Sequence, residues 1–322
     1  MMYHLVDMFW NPFLAVRFGI VAYFTYKVAL GIWLFIRPSS LHKYQRQDRP
    51  AWAMITGATD GIGHALAEEL LRRRFNVVIH GRNPEKLNRI RSAFLEQFPA
   101  REIQIWAADA TGDHVDYNEI VRIVQALPGK LTILINNVGG VPPPVLATLE
   151  EATTEHINTI ISLNTRFTAI LTSRLLPVLK ANSPSAIVCS GSGGALVGMP
   201  YIVTYGASKA FVHAFCNSLK AELASPDDNE KAASVSVNAL VIGQVSTANS
   251  GVPPSFFVLR PDEFASAALH KIGCSQTQVA GHWRHALQSL IMTTLPESLL
   301  IRMALQLLKE RRAEERRESK NQ

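Results

Sequence analysis

The stretch AWAMITGATDGIGHALAEELLRRRFNVVIHGRN, beginning at Ala51, restricts the fold of this chain more than any other. A short apolar run enters a turn containing Gly57, Gly61 and Gly63, continues as an amphipathic helical pattern, and ends in a second apolar run. Two buried strands joined by a helix run parallel, so this is a β-α-β unit. The glycines are spaced G-x-x-x-G-x-G rather than G-x-G-x-x-G, but the physics is shared. Small residues let the backbone approach a pyrophosphate, and amides at the start of the helix near Ile62 face its negative charge. Gly57, Thr59, Asp60, Gly61, Ile62 and Gly63 are the candidate cradle for a dinucleotide.

The alternation continues from Trp52 to about Ile242 and predicts one Rossmann-like, doubly wound parallel α/β domain with helices on both faces. The end of the second strand reads out the cofactor, because an acidic residue there would hold a ribose 2′-hydroxyl and repel a 2′-phosphate. Arg82 stands in that region, and its guanidinium suits a phosphate, which favours NADPH/NADP+ over NADH; an ordinary surface arginine is the competing reading. The strand REIQIWAADA ends at Asp109, a candidate adenine contact, and LTILINNVGG ends at Asn136 and Asn137, on the sheet edge where ligands bind. Later in the chain, Tyr205 and Lys209 lie one helical turn apart, where the cation is expected to hold the phenol closer to ionisation. Ser192 offers a hydroxyl to a substrate carbonyl.

Ahead of this domain, the chain from Phe13 to Ile36 is apolar apart from Arg17, Lys27 and a few small polar residues. From Phe18 onward it would span roughly 28 Å as a helix, enough for a bilayer core; a buried or interfacial helix is the alternative. Arg37, Lys43, Arg46 and Arg49 follow it, whereas Asp7 precedes it, so the remainder is expected to face the cytosol from a membrane, that of the endoplasmic reticulum. The expected organisation is an anchor over 1–37, a linker over 38–50, the α/β domain over 51–285, and amphipathic helices with a charged tail over 286–322. Lys320 alone makes no convincing retrieval signal. The net charge of +6 sits in membrane-flanking residues and terminal arginine pairs without interleaved aromatics, which argues against a nucleic-acid partner. Cys189, Cys216 and Cys274 lack metal-ligand spacing, and no metal is expected. Asn249 to Glu263 has the composition of a mobile flap whose Phe256, Phe257 and Leu259 either cover an apolar substrate or pack on the domain.

TGATDGIG, NNVG, Asn164 in ISLNTRF, and Ser192 with the Tyr205 to Lys209 segment stand in the order and wording of the short-chain dehydrogenase/reductase family. The chain resembles most its membrane-anchored branch of very-long-chain 3-oxoacyl-CoA reductases and 17-beta-hydroxysteroid dehydrogenases. The resemblance implies a catalytic tetrad of Asn164, Ser192, Tyr205 and Lys209, with Ser190 the competing serine. Tyr205 would protonate a carbonyl oxygen as hydride arrives, Lys209 would depress its pKa and hold a ribose hydroxyl, and Asn164 would fix a water. Val245 and Thr247 would contact the nicotinamide carboxamide, although Ile242-Gly243 replaces the family's Pro-Gly just before them. The implied substrate is a lipid-like ketone, a 3-oxoacyl-CoA first and a steroid, terpenoid or polyketide ketone second. A homodimer is a further expectation, and a catalytically silent scaffold is the reading from another class.

Overall fold

The computed structural model describes residues 12–46, 48–112, 114–224 and 233–318; Asp7 and Lys320 lie outside them. Contacts divide the chain into a unit that ends at Pro38 and one that begins at Ser39. The first contains a single described helix, α1 (Pro12–Ile36), whose apolar side chains are largely exposed. Its Leu14–Ile36 portion has 23 residues and a mean hydropathy of 1.7, the length and composition of a helix that crosses a membrane.

The second unit is a doubly wound α/β fold. Its described residues form a seven-stranded, all-parallel sheet in the order β3-β2-β1-β4-β5-β6-β7. In chain order the elements are β1 (Ala51–Ile55), α2 (Gly61–Arg72), β2 (Asn76–Gly81), α3 (Pro84–Gln97), β3 (Ile103–Ala107), α4 (Tyr117–Gln125) and β4 (Lys130–Asn136). There follow α5 (Thr154–Ile161), a π-turn over Ser162–Arg166, α6 (Phe167–Ala181), β5 (Ser185–Ser190), α7 (Val203–Ala224) and β6 (Val235–Val241). The chain then adds α8 (Pro261–Leu269), β7 (Gln278–Ala280), α9 (Trp283–Thr294) and α10 (Glu297–Glu318). Strands β1, β2 and β5 are buried at every position, as expected of parallel strands covered on both faces. One face of the sheet closes over a cluster around Trp52, Trp106, Phe167, Leu171 and Leu175, all essentially inaccessible to water.

Helix starts follow local chemistry. The Asn83 side chain accepts from Lys86 N at 2.9 Å with Pro84 in the first turn, and Thr153 accepts from His156 N at 3.1 Å. The segment after α1 is less of a spacer than its polar sequence suggests. Leu41–Tyr44 forms a 3-10 turn, and Tyr44 is buried. Its hydroxyl donates to Ser236 Oγ at 2.9 Å, and its carbonyl accepts from Thr132 Oγ1 at 2.7 Å. Tyr44 therefore ties residues before β1 to both β4 and β6. Truncating it to alanine empties that niche and should cost about 3–5 kcal/mol, the range for deleting a large buried aromatic. Denaturant unfolding of Tyr44→Ala checks this; a midpoint equal to wild type would show that the segment is a spacer after all.

Candidate active site

The sheet reverses its winding between β1 and β4, so the loops leaving these strands diverge and open a crevice at their carboxyl ends. The glycine turn occupies one side of it. Gly57 and Gly61 adopt φ of +65° and +52°, and a Cβ on Gly63 would stand 2.1 Å from Gly57 O. These positions need glycine for backbone geometry. The Asp60 carboxylate accepts from Gly61 N at 2.7 Å, capping α2, and meets Lys86 Nζ at 3.2 Å. Thr59 packs on Gly81, where a Cβ would lie 2.5 Å from its methyl group. A backbone-lined turn at a helix start, facing the switch point, fits a dinucleotide pyrophosphate; Gly57, Gly61, Ile62 and Gly63 would hold it.

Asn137 faces this turn. Its backbone N donates to Thr56 Oγ1 at 2.9 Å, its Nδ2 donates to Thr56 O at 3.0 Å, and its Oδ1 accepts from Ser190 Oγ at 3.3 Å. Its geometry is thus a brace joining the ends of β1, β4 and β5. Asp109 holds Thr111 N at 3.0 Å and Thr111 Oγ1 at 2.8 Å; these bonds, opposed by partial desolvation and helped by nearby Arg82, lower its pKa. Arg82 itself is exposed at the end of β2.

The implied tetrad is drawn from three segments: Asn164 from the π-turn, Ser192 from the loop after β5, and Tyr205 and Lys209 from α7. Lys209 is buried on α7 and donates to Ser190 O at 2.9 Å. Its desolvation lowers the ammonium pKa to about 8. Lys209 Nζ lies 5.7 Å from the centre of the Tyr205 ring. A Cβ on Gly139 would be 2.8 Å from that nitrogen and 2.7 Å from Asn164 Oδ1, so the β4 loop passes between the two side chains without room for another. Ser192 Oγ accepts from Gly194 N at 3.0 Å, which leaves its own proton free to donate. Ser190 is occupied instead with Asn137.

Two details differ from the sequence reading. Burial raises the Tyr205 pKa above the ordinary phenol value, with the Ser192 hydroxyl acting in the opposite, smaller direction. Helical spacing brings a charge near the phenol, but desolvation dominates here. Asn164 sits in the π-turn, where Phe167 N reaches back to Ser162 O. The shifted ladder frees carbonyls one turn earlier, and side chains take them: Asn164 Nδ2 donates to Ile160 O at 2.9 Å and Thr165 Oγ1 to Ile161 O at 2.5 Å. The same amide donates to Gly140 O at 2.8 Å and accepts from Gly140 N at 3.0 Å. Asn164 therefore shapes the helix and pins the β4 loop.

Two buried histidines had no signal in the sequence. His80 Nδ1 accepts from Gly57 N at 3.3 Å while Nε2 bonds Ala108 O at 3.1 Å, which fixes its tautomer and supports the glycine turn. His285, on α9, does the same for the departing loop: Nδ1 accepts from Gly243 N at 3.1 Å and Nε2 bonds Gln244 O at 3.2 Å. A Cβ on Gly243 would lie 2.6 Å from its ring. The loop then pairs Val245 with Leu259 and brings Thr247 beside the glycine turn, 2.9 Å from a Cβ placed on Gly61. Leu259 is wholly buried and belongs to the core, whereas Phe256 is exposed and packs edge-on against Trp283.

A family model described as short chain dehydrogenase matches residues 51–252. The chain is 32% identical over 275 residues to a Kluyveromyces lactis protein named very-long-chain 3-oxoacyl-CoA reductase, covering 80% of this chain and 75% of that one. Its fold is similar to a short-chain dehydrogenase from Sphingobium yanoikuyae in complex with NADPH, at a TM-score of 0.59 and 24% identity over 77% of this chain and 97% of that one. It is also similar to a 3-ketoacyl-(acyl-carrier-protein) reductase from Brucella melitensis complexed with NADH, at 0.61 and 25% over 72% and 96%.

Burial lowers both histidines from 6.5 to about 4. The unfolded chain therefore binds more protons between those values, and stability is full above pH 6.5 and lost as pH falls towards 4. Each site contributes at most ~3 kcal/mol. Thermal unfolding midpoints should fall across this window and the slope should lessen in His285→Gln, whose amide can keep both bonds without titrating. A midpoint that is flat from pH 6.5 to 4 would contradict the assigned tautomers.

Proposed function

The chain belongs to the short-chain dehydrogenase family, and from that premise we propose that it reduces a lipid-like ketone with NADPH. It is an oxidoreductase acting on CH–OH and C=O groups with a nicotinamide cofactor. The substrate proposed is a 3-oxoacyl-CoA of fatty-acid elongation, in keeping with the name of the Kluyveromyces lactis relative. The observation that carries the reading is the convergence of Ser192, Tyr205 and Lys209 beside the β4 loop, across the crevice from the glycine turn.

A nicotinamide cofactor held by the glycine turn would supply the hydride for the carbonyl carbon. Ser192, with Gly194 N already on its oxygen, directs its hydroxyl proton at the substrate carbonyl. Tyr205 delivers its proton to the same oxygen. Its raised pKa keeps it protonated at neutral pH, the form a reductase requires of its acid. Lys209, held by Ser190 O, places a positive charge behind the phenol and offsets the charge that Tyr205 gains on giving up its proton. Asn164 acts by holding the β4 loop and the π-turn in place. Arg82 would select the 2′-phosphate, and Val245 and Thr247, the latter beside the glycine turn, would contact the nicotinamide carboxamide. The length and composition of α1 and its basic flank support an anchor in the endoplasmic reticulum with the catalytic unit, from about residue 51 to 285, facing the cytosol.

Membranes carrying the protein should oxidise NADPH when given a long-chain 3-oxoacyl-CoA, and Tyr205→Phe should lower the rate by about 10²–10⁴. Retention of a tenth of wild-type activity would remove Tyr205 as the acid. For Arg82→Ala the expected result is a KM for NADPH raised about tenfold or more with little change for NADH. An unchanged cofactor preference would place 2′-phosphate recognition elsewhere.

A further inference from the structure

A groove of about 930 Å³ opens beside the reacting groups. Its inner wall is made by the loop from Gly194 to Pro200 and by the α7 face that carries Gly206 and Ala210; its outer wall comes from the end of α9 and the first half of α10. Met292, Leu300, Ile301 and Leu305 face inward, and only Thr293 and Glu297 bring longer polar side chains to the lining. The groove reaches the chemistry directly. Gly194 gives its N–H to Ser192 Oγ at 3.0 Å, Gly206 follows Tyr205 in the chain, and a Cβ on Gly193 would lie 4.0 Å from Met292 Sδ.

The outer wall is held in place by the far half of α10. Glu315 accepts from Val145 N at 2.7 Å and Leu146 N at 3.1 Å. Arg312 and Arg316 pair with Glu151, the latter at 2.5 Å. The Arg312 guanidinium also stacks 4.7 Å above the ring of Tyr201, a residue in the left-handed region at φ +65°. Both loops that flank Tyr205 are thus fastened to one helix, whose other half walls the groove. None of α10 falls within residues 51–252, the part matched by the family model.

We propose that this groove receives the hydrocarbon chain of the carbonyl substrate and that α10 sets the chain length accepted. The inference rests on the reading of the substrate as a 3-oxoacyl thioester. An apolar channel without a cation suits an unbranched methylene chain, and its volume lies near the top of the roughly 300–1,000 Å³ usual for small-molecule sites. Every methylene it desolvates adds roughly a factor of four in affinity, so blocking the channel penalises long chains progressively more than short ones.

The test uses the full chain in detergent, a ladder of 3-oxoacyl-CoA thioesters from short to very long, and NADPH. In Leu300→Trp and Leu305→Trp the ratio of kcat/KM for long over short chains should fall at least tenfold. Leu299→Trp, on the same helix but outside the groove lining, should leave the ratio unchanged. An unaltered ratio in both groove variants overturns the inference, as does a change confined to their oligomeric state, which would give the groove to a second copy. Should either variant fold poorly, wild type is photolabelled with a long acyl-CoA bearing a diazirine at its methyl end. Label on the Met292 to Leu305 peptides is expected, and label found only elsewhere overturns the proposal. A wild type inactive on every length refutes the substrate reading, while the labelling still decides the groove.

Discussion

Backbone has to pass very close to backbone at the carboxyl ends of β1 and β4, and the rest of the site depends on that crowding. Asn137 reaches across to Thr56 O, and Gly63 approaches Gly57 O so closely that no side chain fits between them. Because the strands are parallel, both loops leave the sheet at the same edge and the crevice opens between them. Gly139 then threads between Asn164 and Lys209. The chemistry of the site is thus built outward from hydrogen bonds that join strand ends.

Much of this was legible in the residues. The glycine positions announce themselves because a left-handed turn and a close approach leave few alternatives, and the strands do because both faces are covered. The apolar helix α1 and the break at Pro296 likewise follow from composition and proline geometry. His80 and His285 were not legible. A neutral imidazole that accepts from one loop and donates to another depends on where two distant segments meet, and no spacing encodes that. The direction of the Tyr205 shift was hidden for a related reason, since helical spacing fixes a neighbouring charge but says nothing of how much water is excluded.

The substitution of Ile242-Gly243 for Pro-Gly shows how a departure from a pattern can be absorbed. Ile242 takes the place of the proline and lacks its ring constraint, while Gly243 keeps the glycine, and its N–H donates to His285 of α9. The loop is braced here by a contact from 42 positions downstream. The loop opposite the glycine turn and the outer wall of the groove consequently share one helix, because α9 carries His285 near its start and Met292 near its end.

The bond from Val145 N to Glu315 joins residues 170 positions apart. During synthesis at roughly 5–20 residues per second, the strands that make the crevice emerge well before α10 can reach them. The loops on either side of Tyr205 therefore spend part of the life of the nascent chain without their fastening helix, with the apolar lining of the groove open to whatever is nearby. The order of emergence makes α10 the step that completes the outer wall of the groove.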